Sequence, residues 1–387
     1  MSQRFEYGLC RIKDIRVECG TDKHGNVTVS RVLVEDRPVK PTKRFWSSLH
    51  HRFGFTSNIF RYFRHDEVFN RISAVAANDQ VRWCIAWGQK GKTKEPVGHL
   101  LAVSSPGAAV VRHPELAGLL KRYGAESVNY ANGTVRSVHT PRGTSTFAIA
   151  GDNFQNKFVL ETPIDGYGKP SVYLSLLRLL CWNGAIGYNR AFRSELNVGR
   201  AGAGTDFALT RVLEGFNNEE GFAALRQRFE SAAKSWASVH EVNSAYRTLA
   251  RVLGAGGLAG QPAVGGDGAS LPAPRSQALR SQVLRSFGKM TGDMAEIYGL
   301  ANLDALSVKR QRTLPAACKV YDLLNFTSEL ATHHAGDQGQ RMLQASIGSL
   351  VGGEYDLEGT ADQFGDWRDF FIGSEKTTGT LAALSRR

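Results

Sequence analysis

Between Arg37 and His65 the chain carries Arg37, Lys40, Lys43, Arg44, Arg52, Arg61 and Arg64, and no acidic residue. Phe45, Trp46, Phe53, Phe55, Phe60, Tyr62 and Phe63 are interleaved with them. Lys and Arg neutralise phosphates and aromatic faces stack on unpaired bases, so this mixture is what a groove for single-stranded nucleic acid uses. The candidate contacts are Lys40, Lys43, Arg44, Trp46, Arg52, Arg61, Tyr62 and Arg64, with Lys90, Lys92 and Lys94 at the tip of a later hairpin. A second reading makes the aromatics core and the cations a solvated rim, because aromatic side chains dominate cores everywhere. A third, a membrane-surface segment, is disfavoured because the apolar residues do not gather on one helical face.

Other residue types point to less. His50-His51 and His333-His334 are adjacent pairs, which diverge on a helix or a strand and chelate poorly without further ligands. His65-Asp66 resembles a phosphohydrolase metal dipeptide but lacks the additional His and Asp such sites need. The five cysteines include no CxxC pair, so no zinc site is expected. Gly199-Arg200-Ala201-Gly202-Ala203-Gly204 lacks the GKS/T ending of a phosphate loop and reads as a surface loop. Cys181-Trp182-Asn183-Gly184 reads as a buried cysteine at a helix end, not a nucleophile. No catalytic residue, metal or cofactor is assigned.

The elements that must position the basic segment are mostly strands. Arg11 to Glu18 and Val27 to Val34 are β-branched runs separated by His24-Gly25-Asn26, a hairpin pattern. Val81 to Trp87 alternates and returns as Gly98 to Ser104, which puts Lys90, Lys92 and Lys94 at the turn. Pro114 to Tyr123 fits a short helix, and Ser127 to His139 folds back at Asn132-Gly133, a dipeptide suited to a type I′ turn. Thr146 to Ala150 and Phe158 to Glu161 extend the sheet, and Ser171 to Trp182 reads as a buried helix.

Asn218 to Leu253 shows three- and four-residue apolar spacing, with Asn218 as cap. It forms one long amphipathic helix or two broken near Asn243. At about 1.5 Å per residue a single helix would reach about 50 Å, which suggests a homo-oligomer contact through it. Arg275 to Met290, Leu303 to Arg312 and Pro315 to His334 also read as helices. The pattern predicts an α+β fold: an antiparallel sheet with packed helices, the long amphipathic stretch, then a helical C-terminal region.

The stretch Thr162-Pro163-Ile164-Asp165-Gly166-Tyr167-Gly168-Lys169-Pro170, followed by Arg178, Cys181 and Asn183, resembles the core of phage- and plasmid-like proteins grouped as domain of unknown function 932. Leu177 and Gly184 depart from the residues frequent there. The resemblance runs from about Phe60 to Leu253 and implies a phage or mobile-element context, but no catalytic residues.

The whole chain has 387 residues, 42% hydrophobic and 22% charged, the composition of a folded protein. No apolar run approaches the ~20 residues of a membrane helix, and Met1 to Cys10 carries no secretory signal, so a cytoplasmic location is expected. Gly254 to Ser276 holds seven glycines and three prolines and reads as a linker between a domain of residues 1–253 and a helical region of residues 277–387. Residues 1–253 carry 35 basic against 22 acidic residues, whereas the remainder carries 13 against 14, so the entire net charge of +12 resides in the first part. The tail contrasts with it: acidic residues surround Phe364, Trp367, Phe370 and Phe371, which could dock into the C-terminal core, cover the basic segment or recruit a partner. The reading these features favour is a non-enzymatic protein that binds single-stranded DNA or RNA, with a role in recombination or annealing. Its alternatives are a metal-dependent nuclease or other phosphoryl-transfer enzyme, and a structural or interaction protein.

Overall fold

The computed structural model describes residues 4–22, 25, 27–89, 96–179, 183–186, 192–197, 205–254, 274–299, 305–335 and 337–378. Contacts group the chain into two compact units, one of residues 1–139, 160–172 and 195–216, the other of residues 140–159, 173–194 and 217–387. The helices on either side of residues 255–273 therefore fall in the same unit. Residues 255–273 themselves lie outside the described residues.

In the first unit, β1 (Arg4–Arg11), β2 (Ile15–Thr21), β3 (Val27–Val34), β4 (Arg37–Pro41), β5 (Gln80–Gln89) and β6 (Pro96–Ser104) form a sheet in the order β1-β5-β6-β4-β3-β2. Its pairs are antiparallel except β4 with β6. Side chains alternate across a strand. Val81, Trp83 and Ile85 of β5 accordingly join one core, while Cys84 and Ala86 face Leu101, Phe5 and Tyr7 on the other side. The first core is closed by Phe45 and Leu49 of α1 (Lys43–Phe53) and Phe69 of α2 (His65–Ala76), all buried among Ile12, Ile15, Val32, Val34, Val39 and Leu100.

Two backbone devices shape this sheet. Gly8 stands opposite Trp83, and a Cβ at Gly8 would overlap the indole, so the glycine lets Trp83 lie across β1. Glu35 and Asp36 join β3 to β4 with φ of 50° and 63°, a mirror-image hairpin turn built without glycine. Beyond the sheet lie α3 (His113–Arg122) and the hairpin of β7 (Ser127–Ala131) and β8 (Thr134–His139), whose Asn132 and Gly133 take the positive φ expected of a type I′ turn. Helix α4 (Thr205–Gly215) completes this unit.

The second unit contains the hairpin of β9 (Thr146–Ile149) with the first part of β10 (Asp152–Pro163), and most of β11 (Ser171–Arg178) paired with β12 (Asn183–Ile186); β13 (Arg193–Glu195) follows. Residues 171–178 are thus a strand and not the expected helix. Residues 171–176 are all buried, and a strand covered on both faces has the same unbroken apolar run as a buried helix.

The amphipathic stretch from residue 218 is realised as α5 (Glu219–Lys234) and α6 (Val239–Gly254). Asn218 caps α5 by accepting from the Gly221 N–H at 2.9 Å. The break falls at β14 (Trp236–Ser238), earlier than Asn243. There Ser238 and Glu241 form a capping box, with the Ser238 N–H donating to Glu241 Oε2 at 2.7 Å and the Glu241 N–H to Ser238 Oγ at 3.2 Å. No 50 Å helix exists, so the length that suggested a homo-oligomer contact is gone; α5 and α6 pack on α10 (Val320–Glu329) and α11 (Asp337–Gly352) within the unit.

Further helices are α7 (Pro274–Thr291), α8 (Met294–Tyr298) and α9 (Val308–Thr313). Residues 315–334 are not one helix: β15 (Pro315–Lys319) pairs with β14 before α10 begins, and residues 330–334 form a wider π turn. The acidic-aromatic tail docks on this unit, with Trp367 and Phe370 packed on Trp236, Leu357 and Ala361. The α+β class read from the pattern is the class observed.

Candidate nucleic-acid interface

Helix α1 starts at Thr42, whose hydroxyl accepts from the Phe45 N–H at 3.1 Å, and ends at Gly54 in the left-handed region. At about 100° per residue, the buried Phe45, Ser48 and Leu49 turn Lys43, Ser47 and His51 outward as an i, i+4 row. Its first turn holds Lys43 and Arg44 and no acidic residue, although the helix dipole favours anions there. Lys43 has no stabilising explanation within the helix. Arg52 is exposed half a turn around the helix from Lys43, so the two do not share a face.

The segment after α1 returns onto it through Phe60. That ring lies 5.9 Å from Trp46, 5.4 Å from His50 and 6.3 Å from Phe55, and it stacks on His65 at 4.0 Å and 9°. With Phe60 turned inward, Tyr62 is left 81% exposed and Phe63 55% exposed, next to the exposed Arg61. Two adjacent aromatics in solvent are informative where most large apolar side chains are buried.

The candidate cations divide by their partners. Arg44 is not available to a ligand: its fork grips the buried Asp165 through Nε–Oδ2 and an Nη2–Oδ1 bond of 3.0 Å, and Nη2 also donates to the Tyr167 carbonyl. Burial pushes the Asp165 carboxyl up, and the Arg44 guanidinium and the Tyr167 N–H, which donates at 3.0 Å, oppose that rise. Arg64 is exposed but bidentate on Asp66, at 3.0 and 2.5 Å. Arg37 pairs with Glu6 at 2.7 Å and lies over the Trp83 ring.

Lys40, Lys43, Arg52 and Arg61 are exposed and have no ion pair among the described residues. Lys40 sits on β4 across from His99, whose pKa is lowered by burial and by that lysine. Trp46 is half-buried on the first core, in edge contact with Phe45 and His65, so it serves packing and not stacking on a base. Lys90, Lys92 and Lys94 lie outside the described residues, as do Cys181 and the glycine-rich loop at 199–204.

Of the sequence candidates, the fold packs Trp46 on Phe60, next to Arg61 and Tyr62 in the chain, and removes Arg44 and Arg64 by pairing. Three residues were not among the interface candidates read from sequence. Phe63 differs from its neighbours only in exposure. Asp165 was legible as part of the Asp165-Gly166-Tyr167-Gly168 motif, whose glycines have φ of 76° and 107° and form the tight turn that brings the carboxylate inward. His50 carries a buried Nε2 with no hydrogen-bond partner.

Among the described residues, no three His, Cys, Asp or Glu side chains gather where they could hold a metal ion, and no helix is long and apolar enough to cross a membrane. His65 is packed in rings and Asp66 is held by Arg64, so the dipeptide forms no ligand pair. Among the described residues the arrangement offers cations and aromatic faces. The chain matches no known family model, and no curated protein or solved structure matches it.

Proposed function

We propose that the protein binds single-stranded nucleic acid through Tyr62 and Phe63 as stacking platforms, with Lys43 and Arg61 on adjoining phosphates and Lys40 and Arg52 flanking them. The observation that carries this reading is the 81% exposure of Tyr62 beside Arg61, in a segment whose other aromatics are turned inward. Base stacking on an aromatic face tolerates any sequence, whereas a base-paired duplex offers no free faces, so single strands are preferred. The phage or mobile-element context rests on the resemblance carried by residues 162–170 with Arg178, Cys181 and Asn183 alone.

The test uses a short single-stranded DNA and its duplex. Tyr62→Ala and Phe63→Ala each weaken strand binding by about 1–3 kcal/mol per stacked base and leave the melting temperature unchanged. Trp46→Ala lowers the melting temperature instead, since removing a packed aromatic costs up to about 3–5 kcal/mol of stability. With two to four unpaired cations engaged at about −0.7 each, log affinity falls against log salt with a slope between roughly −1.4 and −2.8. Equal affinity for strand and duplex, or unchanged binding in both platform variants, overturns the reading.

A further inference from the structure

The segment that presents Tyr62 and Phe63 is held by a small number of ring contacts, and two of the rings can be charged. Phe60 is flanked by His65, stacked at 4.0 Å, and by His50 at 5.4 Å. His50 also touches Phe55 at 4.8 Å, and His65 touches Trp46 at 4.7 Å. His50 Nε2 is buried without a partner, so a proton placed there finds no acceptor. The two imidazoles are close enough to oppose each other's charge.

We propose that His50 and His65 form a two-proton latch on residues 57–63, closed when both rings are neutral and opened on acidification. It rests on the proposed function, since the latch holds the strand-binding platform in place. Aromatic faces attract cations, so Phe60 tolerates a single imidazolium on one side. Protonating the second imidazole places two cations against one half-buried ring, with no acceptor at His50 Nε2, and the stack separates. The groups facing the pair are few. Asp66, on the same helix as His65, favours its charged form, but is itself occupied by Arg64. From α1, Trp46 and Phe55's neighbour His50 present rings; from the 57–61 turn, only Phe60 is packed against the pair.

Burial holds both histidines below the ordinary imidazole range, and in His65 the facing His50 acts in the same direction while Asp66 opposes it. The sign follows from linkage. The neutral rings are favoured by the docked state, so docking is complete above the ordinary value of about 6.5 and is lost as pH falls below it. A basic protein that merely gains charge on acidification binds a polyanion more tightly; this latch gives the opposite trend.

Two measurements on the full chain separate the latch from the function. Without nucleic acid, the pH dependence of Trp46 emission, taken as the difference between the parent protein and Trp46→Phe, reads the ring stack directly, because an imidazolium in contact quenches an indole. Strand affinity at about pH 7.5 and about pH 5.5 reads the consequence, an expected loss of about tenfold if the ring contacts set the docking strength. His50→Phe and His65→Phe each keep a ring but leave one titrating partner, so each removes the affinity loss while retaining binding at pH 7.5; the emission change is lost only in His65→Phe, because His65 is the imidazole in contact with Trp46. If one variant fails to fold, the other still decides. An emission change with no strand binding at any pH upholds the latch and overturns the function. Strand binding that strengthens steadily on acidification, with Trp46 emission unchanged, overturns the latch alone.

Discussion

Breaking the Arg44–Asp165 pair gives the sharpest test of how α1 is held. The Asp165 side chain has no exposed surface and that of Arg44 is 23% exposed, so the carboxylate depends on this one fork and the Tyr167 N–H for its charge. Arg44→Ala leaves an uncompensated buried carboxylate, and removing one partner of such a pair costs about 3–5 kcal/mol. At 2–4 °C per kcal/mol for a unit of this size, the melting temperature falls by roughly 10 °C. The pH dependence supplies a second signature. Without Arg44 burial is opposed chiefly by the Tyr167 N–H, so the folded-state pKa of Asp165 rises further above the unfolded value of about 3.9, and the folded form holds the extra proton. Stability of the variant therefore increases as pH is lowered from neutrality toward that value, more steeply than in the parent. Replacing both, Arg44→Met with Asp165→Leu, recovers most of the loss, because an apolar pair of similar volume needs no compensation. Calorimetry at several pH values on the two single variants and the double variant decides the matter. Single variants that cost less than about 1 kcal/mol, or a double variant whose loss equals the sum of the singles, would refute the reasoning.

Two further outcomes test the sheet beneath α1. Gly8→Ala forces the indole of Trp83 away from β1 and costs about 1–3 kcal/mol by overpacking, visible as a lower denaturant midpoint with unchanged slope. The Glu35-Asp36 turn places two non-glycine residues at positive φ, so Glu35→Asn with Asp36→Gly raises stability by about 1 kcal/mol despite losing the Asp36–Arg16 pair between exposed side chains. A drop in melting temperature for the turn variant would show that those charges matter more than backbone strain.

The local patterns were the legible part of the fold. Alternation in Val81 to Trp87, the Asn132-Gly133 turn and the Asn218 cap each depend on residues within a few positions, and each is found where expected. What failed depends on distant neighbours. Val172 to Leu176 could not be told from a helix because burial on both faces erases periodicity. The interruption between α5 and α6 is stabilised by pairing with β15, some 80 residues later, and Ser238-Val239-His240-Glu241 was a legible capping box that the continuous apolar spacing masked.

The basic segment shows the same division within a single stretch. Its seven cations are identical in kind to a sequence reader, and the absence of acidic residues within the segment gave no sign of which were paired. Glu6, Asp165 and Asp66 claim Arg37, Arg44 and Arg64, and the first two of those acids lie 31 and 121 residues away from their partners. Aromatics sort in the same manner, since Phe45 and Trp46 face a core assembled from β1 to β6 and Phe60 packs on Trp46, while Tyr62 and Phe63 are exposed. A count of charges and rings therefore sets a ceiling on what this surface can grip. Among the described residues these ion pairs leave Lys40, Lys43, Arg52 and Arg61, so the strand binding proposed above, with these four cations and two exposed rings, predicts contact over a few nucleotides, the span on which single-strand affinity saturates as oligonucleotides are lengthened.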